Sequence, residues 1–238
     1  MAVSPEPSVQ FNPEARVRVD QVGAERQPVV CIDDFLLGAE MLREDAVAKK
    51  GFDDNTGFYP GLRAAAPSSY YQALQNSLPG LIERVFGIRS GQIASVECSY
   101  SLVTTRPDDL HPVQRIPHFD SNRPTELAMI HFLCGSELGG TSFYRHRDTG
   151  FEYVDAGRRE SFLGALEADA KAGRLPPPGY INGDTDQFER IASYEAAFNR
   201  LLMYRCTSLH SGNIAAGFDF DTDPARGRLS INTFLLNG

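Results

Sequence analysis

Arg115-Ile116-Pro117-His118-Phe119-Asp120-Ser121 decides how this chain is read, together with two later stretches, Thr207-Ser208-Leu209-His210-Ser211-Gly212 and Gly227-Arg228-Leu229-Ser230-Ile231-Asn232. On an extended strand, residues i and i+2 point to the same side. His118 and Asp120 therefore project together, a neutral nitrogen ligand beside a carboxylate, and His210 offers a third ligand. Two histidines and one carboxylate on one face of a metal leave coordination positions open, a pattern that suits a non-haem Fe(II) centre. Arg228 and Ser230 alternate onto one face in the same way, giving a fixed cation and a hydroxyl suited to holding a carboxylate. Each piece alone is common. Their order, His-x-Asp, a distant His, then Arg-x-Ser, is specific.

Around these residues lie the strand Leu127-Ala128-Met129-Ile130-His131-Phe132-Leu133, the run Gly139-Gly140-Thr141-Ser142-Phe143-Tyr144, and Leu201-Leu202-Met203-Tyr204 leading towards His210. On these motifs, the chain from about Val96 to its end resembles the Fe(II)/2-oxoglutarate-dependent oxygenases, in their prolyl-hydroxylase-like branch. The resemblance implies a mainly β fold with accessory helices, a double-stranded β-helix or cupin-like jelly-roll barrel. It implies Fe(II) on His118, Asp120 and His210, with 2-oxoglutarate as co-substrate and its remote carboxylate on Arg228 and Ser230. Molecular oxygen and a peptidyl, amino-acid or small-molecule substrate would complete the reaction, a C–H hydroxylation. Related halogenases replace the carboxylate ligand with a small residue, so Asp120 favours hydroxylation. One position departs from the pattern: many relatives carry a tyrosine where this chain has Phe132, which has no hydroxyl to offer the carboxylate. Ser230, or Tyr100 on a neighbouring strand, is the expected replacement.

Two other readings fit the same residues. One is a non-catalytic sensor that keeps the metal and 2-oxoglutarate, which the complete triad argues against and the change at Phe132 favours. The other is a Zn(II)-dependent hydrolase or isomerase, since three protein ligands and a water also serve zinc. Arg228 and Ser230, in the family's order, speak against zinc.

Composition sets outer bounds. The 238 residues, 42% hydrophobic and 23% charged, match an ordinary globular chain able to bury a core. A net charge of −8 argues against a nucleic-acid partner, which calls for clustered Lys and Arg. Cys31, Cys98, Cys134 and Cys206 form no close pair and read as buried free thiols, which suits a reducing compartment. Met1-Ala2-Val3-Ser4-Pro5-Glu6-Pro7 lacks the basic-then-apolar pattern of a signal peptide. The longest apolar run, near Leu127 to Cys134, is too short to span a membrane. The expectation is a cytoplasmic protein with no membrane partner; the sequence sets no oligomeric state.

The chain reads as one domain over 1–238: N-terminal strands and supporting helices over 1–91, and a β-helix core over 92–238 with a large insertion at about 150–200. Val17, Val19 and Val22 alternate as an edge strand, and Gln27 to Leu37 reads as a strand entering a helix over Gly38 to Lys50. Gly51 to Ala66, rich in Gly, Pro and Asp, is expected to be irregular, with Tyr59 to Arg63 at the site mouth or in a surface loop. Ser68-Ser69 is expected to cap a helix from about Tyr70 to Phe86. From Gln92 the period becomes two, with Val96, Cys98, Tyr100 and Leu102 on one face. Arg106 to Pro117 reads as a loop carrying a surface His111. His131 reads as a packing residue, and His146 as an exposed turn residue or a neighbour of substrate. Within the insertion, helices are expected at Arg158 to Lys171 and at Glu189 to Phe198. This segment, and the loop over 214–226, are expected to be substrate lids or a structural cover. Arg226 competes with Arg228 for the carboxylate, but clean alternation follows only Arg228.

Overall fold

A computed structural model of the chain describes residues 6–49, 51–53, 57–215 and 217–237; the Met1 to Pro5 portion of the signal-peptide reading lies outside them. The elements run β1 (Gln10–Phe11), β2 (Arg16–Val22), β3 (Gln27–Asp33), β4 (Leu36–Leu37), α1 (Ala39–Ala48), β5 (Gly61–Ala65), α2 (Ser68–Ser77) and α3 (Pro79–Phe86). Then follow β6 (Ser95–Val103), β7 (Leu127–Phe132), β8 (Gly139–His146), α4 (Arg159–Lys171), β9 (Phe188–Glu195), β10 (Arg200–Arg205), β11 (His210–Ile214) and β12 (Leu229–Leu236).

A large sheet has the order β2-β3-β10-β7-β12-β6-β5, and a small one the order β11-β8-β9. The segment around His118 joins the small sheet beside β11 through paired backbone bonds, His118 N–H to the His210 carbonyl and back, each 2.9 Å. From β6 onward the chain therefore passes between the two sheets: β6 in the large, His118 in the small, β7 large, β8 and β9 small, β10 large, β11 small, β12 large. That alternation is the double-stranded β-helix, and the fold is mainly β with accessory helices.

Strand periodicity sorts the large sheet into two faces. Tyr100, Leu102, Met129, Leu201, Met203 and Ile231 point outward under α1, α2 and α3. Ala128, Phe132, Leu202 and Tyr204 point inward, where Phe143 of β8 meets them from the small sheet. His131 belongs to the outer face, stacked on Tyr70 at 5.6 Å with its Nε2 3.1 Å from Asn199 Oδ1. It is a packing residue.

Several expectations need correction. The helix over Tyr70 to Phe86 is two helices, because Pro79 cannot continue the first and instead opens the second. Pro67, not a serine, stands at the N-cap; Ser68 lies inside the helix and is bonded by Glu6. Within Gly51 to Ala66, residues 61–65 form a regular strand paired with β6. Glu189 to Phe198 is mostly strand: pairing with β8 along the small sheet overrides the helical leaning of its Ala and Glu residues. The insertion is thus confined to 147–187, since β9 is a core strand. It lies across the outer face of the small sheet, where Val154, Phe162, Ile181 and Phe188 bury Tyr144 and Leu209. His146 is not an exposed turn residue. It is buried between Phe162 (5.3 Å) and Phe188 (5.1 Å), with Nδ1 2.9 Å from Thr149 Oγ1.

All four cysteines are free, Cys31, Cys134 and Cys206 being buried and Cys98 half-buried. No helix among the described residues is long and apolar enough to cross a membrane.

Candidate metal centre and its chamber

Backbone pairing builds the centre. Beyond the His118–His210 bridge, the Asp120 N–H donates to the Cys206 carbonyl at 2.8 Å. His118 and Asp120 are thereby aimed at the interior while Phe119, between them, points outward against Phe162 of α4 at 6.0 Å. The insertion therefore braces the strand from behind.

His118, Asp120 and His210 bring one ligand atom each within 4.8 Å of one another. His118 Nε2 lies 3.7 Å from Asp120 Oδ1, and His210 Nε2 lies 3.6 Å from Asp120 Oδ2. Neither contact is an ion pair. Burial pushes the His210 pKa down to about 4, and the half of the His118 ring that is covered, with His210 alongside, lowers that of His118, so both rings favour the neutral form near pH 7. Two neutral imidazoles and a carboxylate stand just beyond hydrogen-bond length, near the separation of about 3–3.5 Å expected for atoms bonded to one ion at about 2.1 Å. The His210 tautomer is set from behind: Nδ1–H donates to the Ser208 carbonyl at 3.0 Å, leaving the Nε2 lone pair free for a metal. The donor set fits a divalent metal. Half of the His118 side chain is exposed against 6% for His210, so the mouth lies on the His118 side.

Arg228 lies in the interior at 4% exposure. Its Nη2 donates to the Gly140 carbonyl at 2.6 Å, its Nε is buried without a partner, and its guanidinium carbon stands 5.6 Å from the centre of the Phe132 ring. Among the described residues, no carboxylate pairs with it. Ser230 is buried on the same strand face, its hydroxyl donating to Asn232 Oδ1 at 2.9 Å. Arg226 has the opposite setting, exposed and paired with Asp221 at 2.6 Å and Asp223 at 3.3 Å.

Tyr100 is not part of this chamber. Its ring lies on the outer face of β6, and its hydroxyl donates to Asp45 of α1 at 3.0 Å. The alternation that puts Ser101 inside puts Tyr100 outside. The hydroxyl that does reach the chamber belongs to Tyr59, just before β5. It is buried with no partner in hydrogen-bond geometry among the described residues, and burial raises its pKa to about 12, with Arg228, Arg63 and the neighbouring Ser101 hydroxyl opposing the shift. It stays a donor at any physiological pH. Arg63 of β5 pairs across the sheet with Ser101, Ser101 with Ser230, and Ser230 with Phe132, so these four share one inward row. Its guanidinium lies over the Tyr59 ring at 4.5 Å, with Nε buried and unpartnered. Sequence reasoning placed Tyr59 and Arg63 only at a mouth or in a loop. The available signal was Gly61, whose Cβ would stand 2.0 Å from the Leu102 carbonyl oxygen, marking a strand pressed against β6.

An aromatic group closes the Arg228 end. Phe218 of the loop over 215–228 packs with Val103 and Ile214, and Phe220 stacks on Tyr180 of the insertion at 5.8 Å. The Tyr180 hydroxyl donates to the Thr105 carbonyl at 2.7 Å. His111 is exposed, accepting the Val113 N–H at the start of a short turn of helix, and has no place in the centre.

Comparison with known proteins adds a family without a function. A family model described as DUF6445, a family of unknown function, matches residues 13–235. No curated protein matches the chain. Among solved structures, the chain is similar to a Pseudomonas putida prolyl-4-hydroxylase, with 12% identity over 88% of this chain and 92% of that one and a TM-score of 0.46. It is similar to the non-heme alpha ketoglutarate dependent epimerase SnoN of nogalamycin biosynthesis, with 10% identity, coverage of 88% and 77% and a TM-score of 0.43. An N-substituted L-amino acid dioxygenase from Burkholderia ambifaria AMMD gives 8% identity, coverage of 92% and 94% and a TM-score of 0.41. At these values the activity has to be argued from the site itself.

Proposed function

This chain belongs to the DUF6445 family of unknown function, and from its own site we propose that it is an Fe(II)- and 2-oxoglutarate-dependent oxygenase that hydroxylates a C–H bond. One observation carries the reading: a buried arginine with no carboxylate partner among the described residues lies in the same chamber as three converging side chains that could hold a metal ion. A buried charge left unpaired is costly, and a carboxylate-bearing co-substrate reaching from the metal to Arg228 would offset that cost. A zinc hydrolase acting on a neutral substrate would leave that arginine unpaired.

His118, Asp120 and His210 would hold Fe(II) on one side, leaving the remaining positions to face the chamber. Iron with 2-oxoglutarate and oxygen supplies the oxidising power, releasing succinate and carbon dioxide. Arg228 would take the remote carboxylate through charge-assisted bonds, strengthened by the low dielectric under Phe218, Phe220 and Tyr180. The Tyr59 hydroxyl would donate to the same carboxylate, the task that Phe132 cannot perform. Ser230 would join by one side-chain rotation away from Asn232. The Ser208 carbonyl keeps the proton of His210 on Nδ1, so the metal-facing nitrogen never needs to lose one.

Anaerobic titration with Fe(II) and then 2-oxoglutarate, followed by succinate release in air, tests the proposal. Stoichiometric binding of both and succinate formation are expected. Binding without succinate under any substrate would leave a sensor, and activity with Zn(II) but not Fe(II) would leave a hydrolase.

A further inference from the structure

The chamber holds a second arginine that the reading above does not use. Arg63 is rooted on the inward row of the large sheet, two strands away from Ser230 and so about 10 Å from it. Its backbone is pinned on the outer side by a bonded pair with Asp53, at 3.0 and 2.9 Å. The Tyr59 ring carries one face of the guanidinium at 4.5 Å. No carboxylate among the described residues comes within 4 Å of it, and its buried Nε has no acceptor. Its root on the inward row and the burial of its Nε place it inside the chamber rather than out in solvent.

We propose that Arg63 is the anchor for a carboxylate on the primary substrate, making this an enzyme of small free acids rather than of internal peptide residues. The inference rests on the oxygenase reading. With Arg228 given to 2-oxoglutarate, Arg63 is the one other buried, unpaired cation of the chamber among the described residues. One guanidinium balances one carboxylate. A phosphate dianion would bring a second charge with no second free cation among the described residues to meet it. The planar fork suits two-point binding of a carboxylate, and Ser101, next to Arg63 in the row, adds a hydroxyl. An acid held about one arginine length from the iron side would expose a carbon near its own carboxylate to oxidation.

The test uses full-length protein loaded anaerobically with Fe(II) and 2-oxoglutarate. Free L-amino acids, their N-acetyl derivatives and the primary amides of both are added, reading the perturbation of the iron-to-2-oxoglutarate absorption and, in air, the stimulation of succinate release. One or more free acids should bind and stimulate, and the matching amides should not. Arg63→Gln should weaken the acid by about tenfold or more, as for losing one partner of a part-desolvated charge pair. Arg63→Lys should recover part of that loss. The dissociation constants of Fe(II) and 2-oxoglutarate, measured without acid, should stay within about twofold of the parent, which also reports an intact fold. Equal action of amide and acid, no response to any acid, or an acid unaffected by Arg63→Gln would each overturn the proposal. So would a loss of iron affinity, which would make Arg63 a brace for Asp120, or a loss of 2-oxoglutarate affinity, which would make it the co-substrate's anchor. Failure of the parent to bind 2-oxoglutarate appears in the first step, before any acid is added, and removes the underlying reading with it.

Discussion

Arg226 and Arg228 are two residues apart and live in opposite surroundings, the first exposed on Asp221 and Asp223, the second buried on the Gly140 carbonyl with its Nε unpartnered. Arg228→Ala is expected to leave Fe(II) affinity unchanged and to weaken 2-oxoglutarate binding by about 2–5 kcal/mol. Arg226→Ala should be silent towards both. Isothermal titration of the two variants checks the pair, and the reverse outcome would move the anchor to Arg226.

The ligand assignment is tested by His118→Ala, Asp120→Ala and His210→Ala, each expected to abolish stoichiometric iron binding and turnover while the chain stays folded. His111→Ala should change neither, since His111 only caps a surface turn. Iron content after dialysis, with circular dichroism as the folding control, reads the outcome; full iron retention by any one of the three removes that residue from the set.

Tyr59→Phe keeps the ring under Arg63 and removes only the hydroxyl. It should weaken 2-oxoglutarate by about 1.5–3 kcal/mol, the range for a hydrogen bond to a charged group. Tyr100→Phe should leave 2-oxoglutarate binding alone and cost only the bond to Asp45. If Tyr100→Phe weakens the co-substrate and Tyr59→Phe does not, the pleat of β6 relative to the chamber has been misread.

Acid should loosen the insertion. Asp169 of α4 is buried and accepts hydrogen bonds from Gln187 and Arg174, which hold its carboxyl below the ordinary range. A folded-state pKa below the unfolded value contributes stability above about pH 4, and that stability is lost as pH falls through the folded pKa. Asp169→Asn should lower Tm at pH 7, by about 2–4 °C per kcal/mol lost, and flatten the acid limb of the Tm–pH curve. An acid limb as steep as the parent's would place the titration elsewhere.

The parts legible in the sequence were those that depend on neighbours along the chain. His118 with Asp120, and Arg228 with Ser230, share faces by strand alternation alone, and that same alternation separates Tyr100 from Ser101. Tyr59 and Arg63 could not be placed in this way, because their positions depend on β5 pairing with β6 some forty residues later. Local composition pointed the other way for β9, where Ala and Glu favour a helix until the edge of β8 offers its hydrogen bonds. His146 sits in a run of charged residues and is packed between Phe162 and Phe188, which come from beyond the turn that follows it.

β5 is one of the two edge strands of the large sheet, and Asp53 alone covers its far side among the described residues. Outer strands open more readily than inner ones. The chain thus carries Arg63 and Tyr59 on an element expected to lose its amide protons to solvent early, and carries Arg228 at the head of β12, which is paired along both sides and should lose them late. Excursions of β5 would open the chamber beside Arg63 and release the Tyr59 hydroxyl while Arg228 held its place, so a molecule on Arg63 could exchange while one on Arg228 stayed bound.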